Sequence, residues 1–145
     1  MSKPNELTAA IEYARKLHGH VGPYLVIGLK MGNAAKEALN IPDAEFTHLK
    51  ADINVPLHPP YSCLLDGIQV STTCTVGNQR LQFKNSQTIQ AIFLNEKDSK
   101  TVKITLTEQF IEQLEQKQKQ DKLDEAFAWQ LVELSGKELF NIELE

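Results

Sequence analysis

The sequence predicts a single α+β domain, in which helical segments at both ends of the chain enclose a set of short strands. Apolar residues recur at helical spacing near the start of the chain and again after residue 107. Between these segments, short β-branched stretches alternate with turn residues, which is typical of strands. A length of 145 residues suits one domain, and no repeat or linker divides the chain, so residues 1–145 are treated as one unit.

Two helices are expected at the start of the chain. Helical spacing of apolar residues predicts the first over residues 5–17, and Gly19 should end it because glycine is common just past a helix C-terminus. Pro23 predicts the start of the second helix, since the first turn needs no N–H from that residue. This second helix is expected to end at about Leu39.

The second helix is expected to be buried on most sides, because apolar residues surround most of its first half. Gly28 and Gly32 lie one turn apart on it, and Ala35 extends the same narrow face. Small residues let two backbones approach closely, so this face is expected to pack against another helix or a sheet.

The middle of the chain is expected to hold four strands and one buried helix. The first strand is predicted over residues 47–57, the helix from Tyr61 to about Thr72, and a loop over residues 74–80. Three short stretches, 81–84, 91–95 and 101–107, then predict an antiparallel meander.

The C-terminal part of the chain is rich in Gln, Glu and Lys and predicts further helices within residues 108–135. Apolar residues at helical spacing favour two helices separated near Gln120 and Asp121. These helices are expected to cover the sheet or to pair with another copy of the chain. The pattern over residues 141–145 predicts no particular structure.

Composition excludes several classes of function. A net charge of −4 and a pI near 5.6 argue against nucleic-acid binding, which needs a concentrated basic face. No apolar run approaches the roughly 18 residues of a membrane span, and no signal peptide is evident, so a cytoplasmic protein is expected. In that compartment the two cysteines are expected to be reduced.

The first candidate site is the stretch His18-Gly19-His20, directly before the second helix. Two imidazoles two residues apart would point about 200° away from each other on a regular helix. They can converge only where the backbone leaves the helix, which Gly19 and the Gly22-Pro23 pair favour. The pair is either a set of metal ligands or a set of capping and surface histidines.

The second candidate site is the segment that carries both cysteines, Cys63 and Cys74. One unbroken helix would separate them by about 16 Å, beyond the roughly 7 Å that a disulfide spans, so neither a disulfide nor a shared metal site is expected. Cys63 begins the third helix, a position that lowers a thiol's pKa and favours thiolate, although a buried apolar role is the alternative. Cys74 is expected to be structural. Asp66 lies one turn after Cys63 and is a candidate ligand, hydrogen-bond acceptor or proton carrier.

These two stretches together resemble the FmdE family, whose name denotes the E subunit of formylmethanofuran dehydrogenase. That family shows a His-Gly-His-x-Cys-Pro-Gly motif before an apolar helix and a later Cys-x-x-Asp-x-Ile-Gln segment that runs into Gly-Cys-Thr-x-Gly. The resemblance covers roughly residues 15–95. The matching residues here are His18, Gly19, His20 and Pro23 in the first motif, and Cys63, Asp66, Ile68, Gln69, Cys74, Thr75 and Gly77 in the second.

The chain departs from the family pattern in two places. Gly22 stands where the family motif has cysteine, and Tyr24 replaces the glycine after proline. Many members also carry a C-terminal cysteine-rich zinc ribbon, and here Gln- and Glu-rich helices occupy that part of the chain. The expectation is a stand-alone member without the ribbon.

The resemblance implies a helix-flanked mixed sheet, a homodimer and a bound divalent transition metal, most simply zinc, with His18, His20 and Cys63 as ligands and Cys74 as a weaker candidate. Imidazole and thiolate suit zinc, and a fourth position would remain for water or a carboxylate. Asp66 or Tyr24 would then stand behind the ligands. His58 precedes the Pro59-Pro60 turn and could approach Cys63.

Three functions follow from the resemblance. The first is an FmdE-like metal-binding protein without catalysis of its own, with a larger oxidoreductase complex as a further partner. The second is a metal-dependent enzyme that acts on a one-carbon or pterin-like carrier. The third is a metal-free interaction module whose C-terminal helices bind a partner or a second copy.

Overall fold

The computed structural model describes residues 4–42 and 48–145, which form six helices and five strands. The structure confirms the α+β class and the single domain with a mixed sheet. The helices are α1 (Pro4–His18), α2 (Pro23–Ala38), α3 (Cys63–Thr72), α4 (Glu108–Lys119), α5 (Glu125–Val132) and α6 (Gly136–Leu139). The strands are β1 (Leu49–Val55), β2 (Leu81–Asn85), β3 (Gln90–Asn95), β4 (Lys100–Leu106) and β5 (Phe140–Leu144).

The predicted signals at the ends of α1 and α2 are confirmed. Gly19 follows α1 with a φ of +102°, a backbone conformation that side chains disfavour. Pro23 opens α2 and Gly22 precedes it in an extended conformation. Most of α2 is buried, as its apolar circumference predicts, and α2 therefore forms the centre of the core.

Helix α2 packs against α3 at very close range through glycines on both helices. A Cβ on Gly28 would lie 2.0 Å from the carbonyl oxygen of Leu64, and one on Gly67 would lie 2.2 Å from that of Leu25. Gly32 faces Ser71 further along. The contacts advance in the same direction along both helices, so the N-terminal ends of α2 and α3 lie side by side. The expectation that the glycine face packs against another helix is confirmed.

The five strands form one sheet in the order β2-β1-β3-β4-β5. The prediction of an antiparallel meander is wrong for its first strand, since β2 pairs in parallel with β1 while β3 pairs antiparallel with the other side of β1. Only β3 and β4 form the expected antiparallel pair. The reason is the α3 crossover between β1 and β2, because a helical connection returns the chain to the same end of the sheet.

The helices cover one face of this sheet. Buried and exposed residues alternate along β1, and its buried positions, such as Ile53, join the core beneath α2 and α3. Strand β5 pairs antiparallel with β4 at the sheet edge, in a segment for which the sequence predicted no structure. Residue 47, the predicted start of β1, lies outside the described residues, and Tyr61 lies in the turn before α3.

The two predicted C-terminal helices are confirmed as α4 and α5. Helix α5 packs against α2, and the Lys30 ammonium group of α2 donates hydrogen bonds to the carbonyl oxygens of Val132 and Leu134 at its end. Arg15 of α1 pairs with Glu125 at the start of α5. Among the described residues, no helix has the length and apolar character that crossing a membrane requires.

Candidate functional site

The two sequence motifs meet at the N-terminal ends of α2 and α3. His18 ends α1, His20 lies in the connection to α2, and Cys63 and Asp66 lie in the first turns of α3. Because glycine contacts hold α2 and α3 together, the connection before α2 and the start of α3 approach each other. Two segments more than 40 residues apart in sequence thereby form one candidate site.

A hydrogen-bonded chain fixes the His18 ring. His18 Nδ1 lies 2.6 Å from Asp66 Oδ2, so the imidazole N–H donates to the carboxylate. The Gln69 side chain donates to the other carboxylate oxygen at 3.2 Å and accepts a hydrogen bond from the Val76 backbone N–H. Asp66 is therefore oriented by Gln69 and in turn orients His18.

The second nitrogen of His18 has no partner within the described part of the chain. His18 Nε2 is buried and makes no hydrogen bond there, although buried polar atoms are nearly always satisfied. In a neutral imidazole whose Nδ1–H is donated to a carboxylate, Nε2 carries a free lone pair. This carboxylate–histidine arrangement is the one that metal-ligating histidines adopt.

His20 lies next to His18, with ring centroids 4.8 Å apart and planes inclined by 41°. A Cβ on Gly22 would lie 3.7 Å from His20 Nε2, at ordinary contact distance. Gly22 is the position where the family motif has cysteine, so a side chain there would stand directly beside this imidazole. The connection between α1 and α2 thus brings the two histidines together, as Gly19 and Gly22 favoured.

Cys63 occupies the first turn of α3, and its surroundings disfavour the thiolate form in the metal-free chain. Burial of the half-buried thiol raises its pKa, and the negative charge of Asp66 raises it further. The expectation that the helix N-terminus lowers this pKa is wrong, because desolvation disfavours the charged thiolate more than the helix favours it.

The residues present fit a metal in part. The orphaned His18 nitrogen and the adjacent His20 ring have the chemistry of ligands, but residues 4–42 and 48–145 contain no group of three or more His, Cys, Asp or Glu side chains gathered closely enough to hold an ion. The assignment of His18, His20 and Cys63 as zinc ligands therefore stays a prediction.

The remaining candidates lie elsewhere or have other contacts. Cys74 is buried, with its thiol 3.2 Å from the Leu49 carbonyl oxygen, and both cysteines are free, as expected. The His58 ring packs against Tyr61 with centroids 5.2 Å apart, and the Tyr24 ring also contacts Tyr61 at a centroid distance of 5.2 Å. Tyr24 thus belongs to an aromatic cluster with Tyr61.

Sequence reasoning did not assign a role to Gln69, although the motif contains it. Its contact with Asp66 follows from their spacing of three residues on α3, which places both side chains on one helix face. That spacing is the signal that could have identified Gln69 as the residue that positions the carboxylate.

Known proteins resemble most of this chain in sequence. A family model described as "FmdE, Molybdenum formylmethanofuran dehydrogenase operon" matches residues 17–145, which includes both motifs and the C-terminal helices. A probable S-adenosyl-L-methionine-binding protein of Archaeoglobus fulgidus is 33% identical over 104 residues, which are 69% of this chain. The chain spans only 27% of that relative's length.

The fold also has a counterpart among solved structures. The crystal structure of a tungsten formylmethanofuran dehydrogenase FmdE-like protein from Syntrophus aciditrophicus superimposes with a TM-score of 0.65 at 20% sequence identity. The superposition covers 96% of this chain and 71% of the other, so the two proteins share their fold. Since the family model spans most of the sequence and both of its motifs, the chain belongs to the FmdE family.

Proposed function

We propose that this FmdE-family protein binds a divalent transition metal, most simply zinc, at the His18–His20 pair, with Cys63 as third ligand. The single observation that supports the proposal best is the buried His18 Nε2 atom, which lacks a partner among the described residues while Asp66 holds the opposite nitrogen. A histidine oriented in this way is prepared to donate its lone pair to a metal.

The ligand types also suit zinc. Zinc sites in proteins are built from histidine nitrogen and cysteine sulfur, and three protein ligands leave one position open. Cys63 is included because it lies on α3 one turn before the carboxylate that holds His18. A zinc ion bound there would supply Lewis-acid chemistry at the open position.

Metal titration of the purified protein tests the proposal. Elemental analysis and cobalt substitution would be applied to the wild type and to His18→Ala, His20→Ala and Cys63→Ala, with His58→Ala as the control imidazole. We expect one metal ion per chain, lost in the two histidine variants and kept in His58→Ala. Loss of thiolate-to-cobalt absorption in Cys63→Ala would identify the sulfur ligand.

The Gly22→Cys variant tests the same site by a gain of metal affinity. It restores the cysteine of the family motif at a position where a Cβ has ordinary contact distance to His20 Nε2. We expect metal to bind more tightly, because the cysteine sulfur would add a further protein ligand of the kind that zinc prefers. Stoichiometric metal that survives His18→Ala and His20→Ala would overturn the proposed site.

The partners of the chain belong to the same proposal. We expect a homodimer and, as a further partner, a larger oxidoreductase complex. The uncovered sheet face supports self-association, since Ile92 and Leu94 of β3 are only partly buried there. Light scattering of the purified chain tests the dimer, and a monomer at micromolar concentration would contradict it. Metal-free protein that is a stable dimer would favour the interaction-module alternative.

A further inference from the structure

A cavity separate from the histidine pair is lined by Tyr24 of α2 and by Tyr61, directly before α3. It has a volume of about 810 Å³, within the range of small-molecule sites. The connection between β2 and β3, the end of β4 and one face of α4 surround it. His18, His20, Cys63 and Asp66 are not among its lining residues.

The inner wall of this cavity is aromatic. Tyr61 lines the cavity and contacts two further lining rings, those of Tyr24, inclined at 71°, and His58, inclined at 87°. Ile89, Leu106 and the α4 residues Ile111 and Leu114 add an apolar surface. Rings and aliphatic side chains of this kind suit a ligand with a flat apolar ring, because aromatic rings interact most favourably in stacked or edge-to-face contacts.

Tyr24 contributes a hydroxyl group to the lining of this cavity. The residue as a whole is only 4% exposed, so this part of the wall is largely shielded from water. Burial and the nearby Tyr61 and Glu115 raise the Tyr24 pKa, so the hydroxyl keeps its proton at neutral pH and can donate it to a ligand.

The rim of the cavity is polar, and hydrogen bonds within the chain hold its side chains in place. The Ser86 hydroxyl accepts from the Thr88 backbone N–H, and the Ser86 backbone N–H donates to the Val55 carbonyl oxygen. The Tyr61 hydroxyl donates to the Gln118 amide oxygen at 3.1 Å. Amides and hydroxyls at the edge of an apolar wall match the nitrogen and oxygen atoms at the edge of a heterocycle.

The charge of the lining restricts the ligand. Glu115 is the carboxylate among the lining residues, and no lysine or arginine of the described chain lines the cavity. A phosphate or carboxylate group would meet a negative charge without a cation to neutralise it. An uncharged or cationic ligand is therefore favoured.

We propose that this cavity binds an uncharged or cationic planar nitrogen heterocycle of nucleoside size that carries no phosphate. The heterocycle stacks on one of the two rings, Tyr61 or Tyr24, and meets the other edge-on, because the rings are inclined at 71°. Its edge accepts a hydrogen bond from the Tyr24 hydroxyl, and Glu115 selects against anions. The site is independent of the proposed metal site, since none of the candidate metal ligands lines it.

Three ligands with one base test the charge preference: adenosine is neutral, 1-methyladenosine is cationic and adenosine monophosphate is anionic. Amide NMR titration of the full chain would follow the backbone signals of residues 86–89. We expect saturable shifts there with adenosine and 1-methyladenosine at about 1 mM ligand, and about fivefold weaker binding of the monophosphate. In Glu115→Gln, the difference between adenosine and the monophosphate should disappear.

Two matched pairs of variants locate the binding. Ile111 lines the cavity and Ile142 does not, and both side chains are 41% exposed, so arginine fits at either position without loss of the fold. Ile111→Arg should raise the dissociation constant of adenosine at least about tenfold. Ile142→Arg should leave it unchanged.

Tyr24→Phe removes only the hydroxyl and should weaken binding, whereas Tyr13→Phe on exposed α1 should not.

Three outcomes would overturn the proposal. They are the absence of binding by both adenosine and 1-methyladenosine at about 1 mM, monophosphate binding as tight as that of adenosine, and binding that Ile111→Arg leaves intact. Cobalt or zinc titration of Ile111→Arg separates this result from the metal proposal, because the variant should keep its metal while it loses the heterocycle.

Discussion

The middle of α2 and the chain directly before it differ sharply in the space that neighbouring atoms leave for a side chain. In the middle, Gly28 and Gly32 lie so close to α3 that a single added Cβ would meet backbone or side-chain atoms at 2.0 Å. At Gly22, directly before α2, the nearest atoms to such a Cβ belong to His20 at 3.7 Å. Close contacts therefore exclude any side chain at Gly28 and Gly32 in the middle of α2, whereas the position directly before α2 has space for a side chain beside His20.

The glycine contacts between α2 and α3 thus form a scaffold, and the residues at the starts of these helices form the candidate site. The close contact of α2 with α3, which includes a hydrogen bond from the buried Ser71 hydroxyl to the Gly28 carbonyl oxygen, holds the starts of both helices side by side. Further polar groups gather beyond the contact, where His18 meets Asp66 and Tyr24 meets Tyr61. Changes in the scaffold should therefore alter stability, and changes at the helix ends should alter binding and reactivity.

The largest effect is expected for Gly28→Ala. Its Cβ would lie 2.0 Å from the Leu64 carbonyl oxygen and 3.0 Å from the Ile68 backbone nitrogen, so α2 and α3 would have to separate. Overpacking of this kind should lower the free energy of unfolding by about 3 kcal/mol, measured by urea denaturation. Gly136→Ala is the control, because its Cβ meets Phe140 only at 4.0 Å. Equal stability of the two variants would contradict the scaffold assignment.

A smaller effect is expected where α2 meets α5. Lys30→Met removes the ammonium group that donates to the carbonyl oxygens of Val132 and Leu134. Leaving these carbonyls without a donor should lower the free energy of unfolding by about 2 kcal/mol at pH 7. Lys119→Met, at an exposed position of α4, is the control and should change stability less.

The pH dependence of Lys30 has a defined sign. Burial lowers its pKa in the folded state below the ordinary 10.5, so between these two values the unfolded state binds more protons. Stability of the wild type should therefore rise with pH in that window relative to Lys30→Met. A difference between the two proteins that stays constant from neutral pH to pH 10.5 would contradict the burial of the ammonium group.

At the helix ends, Asp66→Ala should have a modest effect on stability and a clear effect on His18. Loss of the hydrogen bond to His18 Nδ1 should lower the free energy of unfolding by about 1 kcal/mol. Nitrogen NMR should show the proton on Nδ1 of neutral His18 in the wild type and its redistribution in the variant. Asp52→Ala, on the exposed face of β1, should leave the His18 signals unchanged.

The smallest effect concerns the reactivity of Cys63 in metal-free protein. Because burial and Asp66 raise its pKa, less thiolate is present at neutral pH and alkylation by iodoacetamide should be slower than for a free thiol. Asp66→Ala should accelerate the reaction by lowering this pKa. Cys74, fully buried, should react more slowly than Cys63 in both proteins. A Cys63 rate at neutral pH above that of a free thiol would show that the helix N-terminus dominates.

The sequence by itself determined helices α1 to α5, the burial of α2 and the two motifs of the site. Pro23 and Gly19 mark helix ends through backbone chemistry that acts within a few residues. The apolar circumference of α2 and its glycines likewise predict close packing, since they describe the helix surface before any neighbour is known. His18 and His20 were recognisable because the glycines beside them interrupt the helix.

Only the tertiary structure decided which strands pair, how polar groups combine and which wall of the core stays open. The parallel pairing of β1 with β2, the raised pKa of Cys63 and the contact between His18 and Asp66 all depend on how separate elements pack. The aromatic cavity likewise needs Tyr24, Tyr61 and α4 together. Local patterns describe one segment at a time, whereas pairing, desolvation and cavity shape depend on the segments that pack against it.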